Sequence, residues 1–319
     1  MMNPPTTRFA GVLVPALTPF DRTLRPATGR FVGFCRWLLA EGAHGLAVFG
    51  TTSEANSLSL DERRSLLERL IEGGVPAAKL MPGTGLPSLP DSVALTKHAL
   101  AAGCGGVLVL PPFYYKGVSE DGLVGFYSEL VERVGDSRLQ LYLYHIPQMT
   151  GVPLGLGLIE RLVKAYPETI VGIKDSSGDW ENTKAILRNF PQLTTFPSSE
   201  SRLLEGFSLG AAGCISATAN LNVRMIRALI DAGPGPRGEA LHGPVAAIRQ
   251  AVERRPLIPA LKGVFGEIAA DSEWAIVRPP LVALPRPALT ELLAEFAAAG
   301  LDLAAQGFAP LRVPALASA

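Results

Sequence analysis

A lysine that closes an apolar, β-branched run is out of place unless something pairs it or uses it. The segment TIVGIKDSSGDW (169–180) puts Lys174 in that position. Burying an ammonium costs several kcal/mol, so Lys174 either snorkels to the surface or serves chemistry. A desolvated amine with few carboxylates nearby gives up its proton more readily, and a free amine adds to a carbonyl carbon to form a Schiff base. Other apolar runs also end in small polar groups: GTTSEA with Thr51, Thr52, Ser53 and Glu54, then GTG (83–85), PPFYY (111–115), YHIP (144–147) and PSSE (197–200).

Positioning such groups requires a scaffold that brings many strand ends to one place. Eight short runs rich in Val, Leu and Ile read as strands: 11–19, 44–50, 79–85, 106–112, 139–147, 169–177, 193–199 and 213–220. Between them lie segments with apolar residues at three- and four-residue spacing, such as LSLDERRSLLERLIEGG and DGLVGFYSELVERVG. Strands apolar on both faces and separated by helices call for a parallel sheet with crossovers, and eight units predict a closed (β/α)8 TIM barrel. A doubly wound open sheet is the competing architecture, but the turn after the first run, TPFDRTL, carries no glycine-rich nucleotide signature. The pattern then changes. Residues 1–220 are expected to form the barrel with the active site, 221–306 a C-terminal helical extension and 307–319 a tail. The stretch DAGPGPRGEALHGP (231–244) reads as a linker or long turn.

Composition narrows the partner. The 319 residues are 48% hydrophobic and 18% charged, with 29 basic and 29 acidic side chains. Zero formal net charge and no Lys/Arg cluster give no footprint for nucleic acid or an anionic membrane, so a small molecule or a second copy of the chain is expected. The prolines in MMNPPTTRFAGVLVPALTPF favour a first strand over a secretory leader, and no apolar run reaches a membrane span. Cys35, Cys104 and Cys214 lie far apart without a CxxC, as in a reducing compartment, so a cytoplasmic protein is expected. His44, His98, His145 and His242 lack HxH or HExxH spacing, so no metal and no cofactor are expected.

GTTSEA, GTG, the aromatic pair in PPFYY, YHIP and GIKDSSGD, in that order, resemble the dihydrodipicolinate synthase and N-acetylneuraminate lyase family, class I aldolases on a (β/α)8 barrel. The resemblance covers roughly residues 8 to 225. It implies that Lys174 forms an imine with pyruvate or a related 2-oxo acid. Thr51 and Thr52 would bind the substrate carboxylate, and Tyr144 would relay protons, its phenol held by Thr52. Tyr114 would complete that relay from a neighbouring subunit, with Tyr115 a competitor for the role. Ser198, Ser199 and Glu200, with Ile215, would contact the rest of the substrate. A homo-oligomer, tetramer or dimer, is implied as well.

The departures refine the expectation. In relatives that use aspartate semialdehyde, an arginine follows the YNxP-type proline by two residues, whereas here that place is Met149. Losing a bidentate carboxylate contact argues for another substrate, such as a hydroxy-2-oxo acid in aldol cleavage or a 2-keto-3-deoxy sugar acid in dehydration. Dihydrodipicolinate synthesis itself and a non-catalytic 2-oxo acid binding protein are the alternatives. Without the resemblance, Thr51 and Thr52 would read as caps of the following helix, and Asp175 and Asp179 as turn and cap residues.

Overall fold

The computed structural model describes residues 8–308, so most of the tail expected from 307 lies outside the described residues. In chain order the elements are β1 (Gly11–Val14), α1 (Thr28–Ala40), β2 (Gly45–Leu46), α2 (Leu60–Glu72), α3 (Leu89–Ala101), β3 (Val107–Val109), α4 (Glu120–Val134) and β4 (Leu141–His145). They continue with α5 (Pro147–Thr150), α6 (Leu156–Ala165), β5 (Ile170–Asp175), α7 (Trp180–Asn189), β6 (Thr194–Pro197), α8 (Leu203–Ser208) and β7 (Gly213–Ile215). Four helices follow: α9 (Ala219–Ala232), α10 (Pro236–Glu253), α11 (Leu257–Ile268) and α12 (Arg286–Ala298).

Every strand pairing is parallel, in two runs ordered β2-β1-β7 and β3-β4-β5-β6. The segment expected as the third strand closes the gap without becoming a regular strand. It makes single parallel bridges, Leu46 with Leu80 and Gly83 with Leu108. Pro82 has no N–H to give a ladder, and a Cβ at Gly83 would lie 2.1 Å from the Phe49 carbonyl oxygen, so the chain passes too close for regular pairing. On the other side Gly11 N–H donates to Ala212 O (2.7 Å) and Ala212 N–H to Thr195 O (3.0 Å), joining β6 to β7 and closing the ring. The result is the expected TIM barrel with helices outside it.

Two apolar clusters follow from strand parity. Leu13, Tyr142, Val171, Phe196 and Ile215 fill the barrel interior, while Val12, Val14, Leu143, Ile173 and Cys214 face the helices. One irregularity sets the phase of β5. Leu141 opposes Ile170 but Tyr142 opposes Gly172, so Val171 is an extra residue, a β-bulge. Beyond the bulge Ile173 faces out and Lys174 faces in, level with Tyr144.

The turn expected over 231–244 is mostly helix. Gly233 and Gly235, both with positive φ, confine the reversal to three residues. Pro236 then starts α10 at the position where a missing N–H costs nothing, and the helix runs on through Pro244. The expected boundary at 220 falls inside α9, which packs against β1. Helices α10, α11 and α12 pack on one another beyond it.

Candidate active site

Lys174 and Tyr144 emerge from neighbouring strands on the interior face, and both are buried. Lys174 Nζ donates to the Tyr144 phenol oxygen at 3.2 Å and lies 4.4 Å from the centre of its ring. The phenol in turn donates to Thr51 Oγ1 at 3.3 Å. Thr51, and not Thr52 as expected, is therefore the hydroxyl that holds Tyr144. Thr52 is the next residue of the same turn and is also buried. The capping role considered for the two threonines belongs to Ser59, whose side chain forms a capping box with Glu62 at the start of α2.

Electrostatics prepare the tyrosine to exchange protons. Burial pushes its ionisation upward, but the Lys174 charge and the hydrogen bonds it shares with Lys174 and Thr51 outweigh it, and the phenol lies below its ordinary value of 10. An amine and an acidified phenol in contact inside an apolar barrel are suited to nucleophilic attack on a carbonyl and to proton relay.

One residue further along each strand the side chains point to the helices. His145 Nδ1 lies 3.1 Å from Asp175 Oδ1, and Asp175 Oδ2 accepts from Thr183 Oγ1 (2.7 Å) and Asn182 Nδ2 (3.0 Å). Asp179 caps α7 by accepting from the N–H groups of Glu181 and Asn182. Both aspartates thus have the structural roles read for them.

A cavity of about 500 Å³ opens above β5 and β6, with Gln148, Ser176, Ser198, Ser199 and Arg249 in its wall. Ser176 adds to the polar surroundings of the Tyr144 phenol, while Lys174 and Tyr144 themselves are not among the residues of this wall. Ser198 and Ser199 line this open cavity. Glu200 does not: it is fully buried, and its carboxylate accepts from the hydroxyls of Ser216 and Thr218. Ile215 is buried in the barrel interior as an apolar wall. Tyr114 and Tyr115 are exposed and stacked edge to face, with ring centres 5.3 Å apart. Within the chain, no hydrogen bond joins Tyr114 to Tyr144 or Lys174. Met149, in the place of the absent arginine, is exposed on α5.

Gln148 and Arg249 were not singled out from the sequence. Gln148 donates to Ser176 O at 2.6 Å, and its place two residues before the end of YHIPQMT was the available signal. Arg249 reaches Ser216 Oγ at 3.4 Å from α10 and pairs with Glu253 at 2.6 Å. Nothing local marks it, because it meets the barrel only through tertiary packing.

Comparison with known proteins places this barrel in a family. The model of the dihydrodipicolinate synthetase family matches residues 8–298. A protein from Chloroflexus aurantiacus named an uncharacterized DapA-like lyase is 34% identical over 289 residues, covering 90% of this chain and 95% of the relative. A 4-hydroxy-tetrahydrodipicolinate synthase from Rhizobium meliloti is 30% identical, covering 88% of this chain and 94% of the relative. The crystal structure of dihydrodipicolinate synthase from Agrobacterium tumefaciens superposes with a TM-score of 0.85 at 29% identity, covering 91% of this chain and 99% of that one. The chain belongs to the dihydrodipicolinate synthetase family. It is an enzyme of the lyase class, a class I Schiff-base aldolase acting on pyruvate.

Proposed function

We propose that Lys174 is the imine-forming residue and that the enzyme cleaves or dehydrates a hydroxylated 2-oxo acid rather than condensing pyruvate with aspartate semialdehyde. The observation that carries this reading is the buried contact of Lys174 Nζ with Tyr144 at 3.2 Å, backed by Thr51.

In this reading the unprotonated amine adds to C2 of the 2-oxo acid, and loss of water gives the protonated imine. The Thr51–Thr52 turn holds the substrate carboxylate through its hydroxyl and N–H groups. Tyr144 takes the proton of the C4 hydroxyl as the C3–C4 bond breaks, so an aldehyde leaves and the bonding pair becomes the enamine. Protonation at C3 and hydrolysis then release pyruvate and free Lys174. In the dehydration variant a C3 proton leaves instead, and hydroxide departs from C4 with a proton supplied by the site.

The exposed Met149 supports the choice of substrate, because no guanidinium stands there to grip a second carboxylate. The cavity with Gln148, Ser198 and Ser199 suits the hydroxyls of a longer chain. Exposed Tyr114 and Tyr115 support a homo-oligomer in which Tyr114 of one copy, with Tyr115 as the alternative, joins the relay of another. Among the described residues no helix is long and apolar enough to cross a membrane, in keeping with a cytoplasmic place of action. Incubation with a 2-keto-3-deoxy sugar acid tests the proposal. Pyruvate plus aldehyde reports cleavage, and a dehydrated 2-oxo product reports dehydration. Turnover of pyruvate with aspartate semialdehyde in preference to both would overturn it.

A further inference from the structure

The chemistry above leaves unused the most deeply buried ion pair of the described residues. Glu54, which follows Thr51, Thr52 and Ser53, is held at φ 56°, a left-handed conformation that a non-glycine residue adopts only when its surroundings impose it. Its carboxylate pairs with Lys262 Nζ of α11, and both side chains are fully buried. Lys262 also donates to Ile276 O at 2.8 Å and lies over the Phe20 ring, 4.3 Å from its centre. The Arg278 N–H reaches Glu54 Oε2 at 3.4 Å, while its guanidinium donates to Glu62 and to Leu24 O, each at 2.8 Å. On the barrel side Thr18 Oγ1 donates to Ser53 O at 2.8 Å.

Replacing a buried ion pair by apolar groups of like volume is commonly neutral or stabilising, so the pair's value lies in the geometry it imposes. That geometry belongs to the turn whose Thr51 holds the Tyr144 phenol. We infer that Glu54 and Lys262 are positioning residues, through which the C-terminal helices lock the Thr51–Thr52 turn and so hold Tyr144 above Lys174. The inference rests on the reading of Lys174 and Tyr144 as the reactive pair. Burial, only partly offset by Glu54, lowers the Lys262 amine to about 8.

The test uses the full chain with Glu54→Gln, Lys262→Met, the double variant and Lys262→Arg. Three quantities are read in each: thermal midpoint, kcat and KM for the cleaved substrate, and the tyrosinate absorbance titration of Tyr144, identified by its loss in Tyr144→Phe. The double variant removes both buried charges, so it is expected to fold with a midpoint near that of the unaltered protein. Its kcat/KM is nevertheless expected to fall at least tenfold, with the Tyr144 titration moved upward as Thr51 loosens. Lys262→Arg, which keeps the charge, is expected to retain more activity than Lys262→Met. A folded double variant with unchanged kcat/KM and unchanged Tyr144 titration would overturn the inference and leave a pair that only packs. Borohydride trapping of pyruvate on the unaltered protein is the control. Its absence there would defeat the reading of Lys174, whereas trapping in the unaltered protein with no effect in the variants defeats only the clamp.

Discussion

Strands β4 and β5 carry two adjacent polar pairs in matched register, Tyr144 with Lys174 and His145 with Asp175, and the pairs face opposite ways. In the outward pair the carboxylate is held from several sides, while His145 Nε2 is buried without a partner among the described residues. Asp175 accepts from Ser177 N–H, Thr183 and Asn182 and lies against His145. Burial raises its carboxyl, but these hydrogen bonds outweigh it and hold the group below its ordinary value. The inward pair is held by one contact on each side, Lys174 to Tyr144 and Tyr144 to Thr51, inside the barrel. Two pairs one residue apart thus take different roles: the outward carboxylate, held by several donors, stabilises, and in the proposed reading the inward amine, with the Tyr144 phenol as its hydrogen-bond partner, reacts.

Removing Lys174 should break the comparison most completely. Lys174→Ala is expected to abolish turnover while leaving the thermal midpoint nearly unchanged, because the amine has one hydrogen-bond partner to lose. Tyr144→Phe should lower kcat by about 10² to 10⁴, with pyruvate still bound covalently; steady-state kinetics beside adduct detection checks this.

Across the strands, Asp175→Asn should act on stability instead. Losing hydrogen bonds to a buried carboxylate costs about 2–4 kcal/mol, measurable by denaturant titration, with kcat of the folded fraction changed far less. The sign with pH follows from the lowered folded value. The unfolded carboxyl takes up its proton near 3.8 and the folded one only at lower pH, so the Asp175 contribution is complete above 3.8 and fades as pH falls through the folded value. The unaltered protein should lose this increment on acidification and the Asn variant should not.

A sharper probe is the Tyr144 phenol itself. Its absorbance titration should fall below 10, and in Lys174→Ala it should move up, because burial then acts without the ammonium. The smallest effects belong to the cavity. Ser198→Ala and Ser199→Ala should raise KM for a hydroxylated substrate about 2- to 10-fold, the worth of one neutral hydrogen bond, without altering the pyruvate half-reaction.

Much of this arrangement was legible in the sequence. The apolar run before Lys174 and the small polar strand ends locate the barrel mouth, since strand parity and the βα repeat are local properties. What could not be read depends on exact placement or distant packing. In the Ile170-Val171-Gly172-Ile173 run only Gly172 hints at the bulge that turns Lys174 inward, and a lone glycine does not fix the register. Of two adjacent threonines on a turn the resemblance pointed to Thr52, and Thr51 proves to hold the phenol. Glu200 looked like a cavity residue from its strand-end motif, yet Ser216 and Thr218, from beyond the next strand, enclose it. Glu54 and Lys262 stand more than 200 residues apart, and nothing near either names the other.

The most direct test of Lys174 as the reactive amine is mass spectrometry after incubation with pyruvate and borohydride, with Lys174→Ala in parallel. A reduced pyruvyl adduct on the peptide containing Lys174, absent from the variant, is the result predicted. Folded protein that forms no adduct with pyruvate or any longer 2-oxo acid, or forms one equally in the variant, would contradict it.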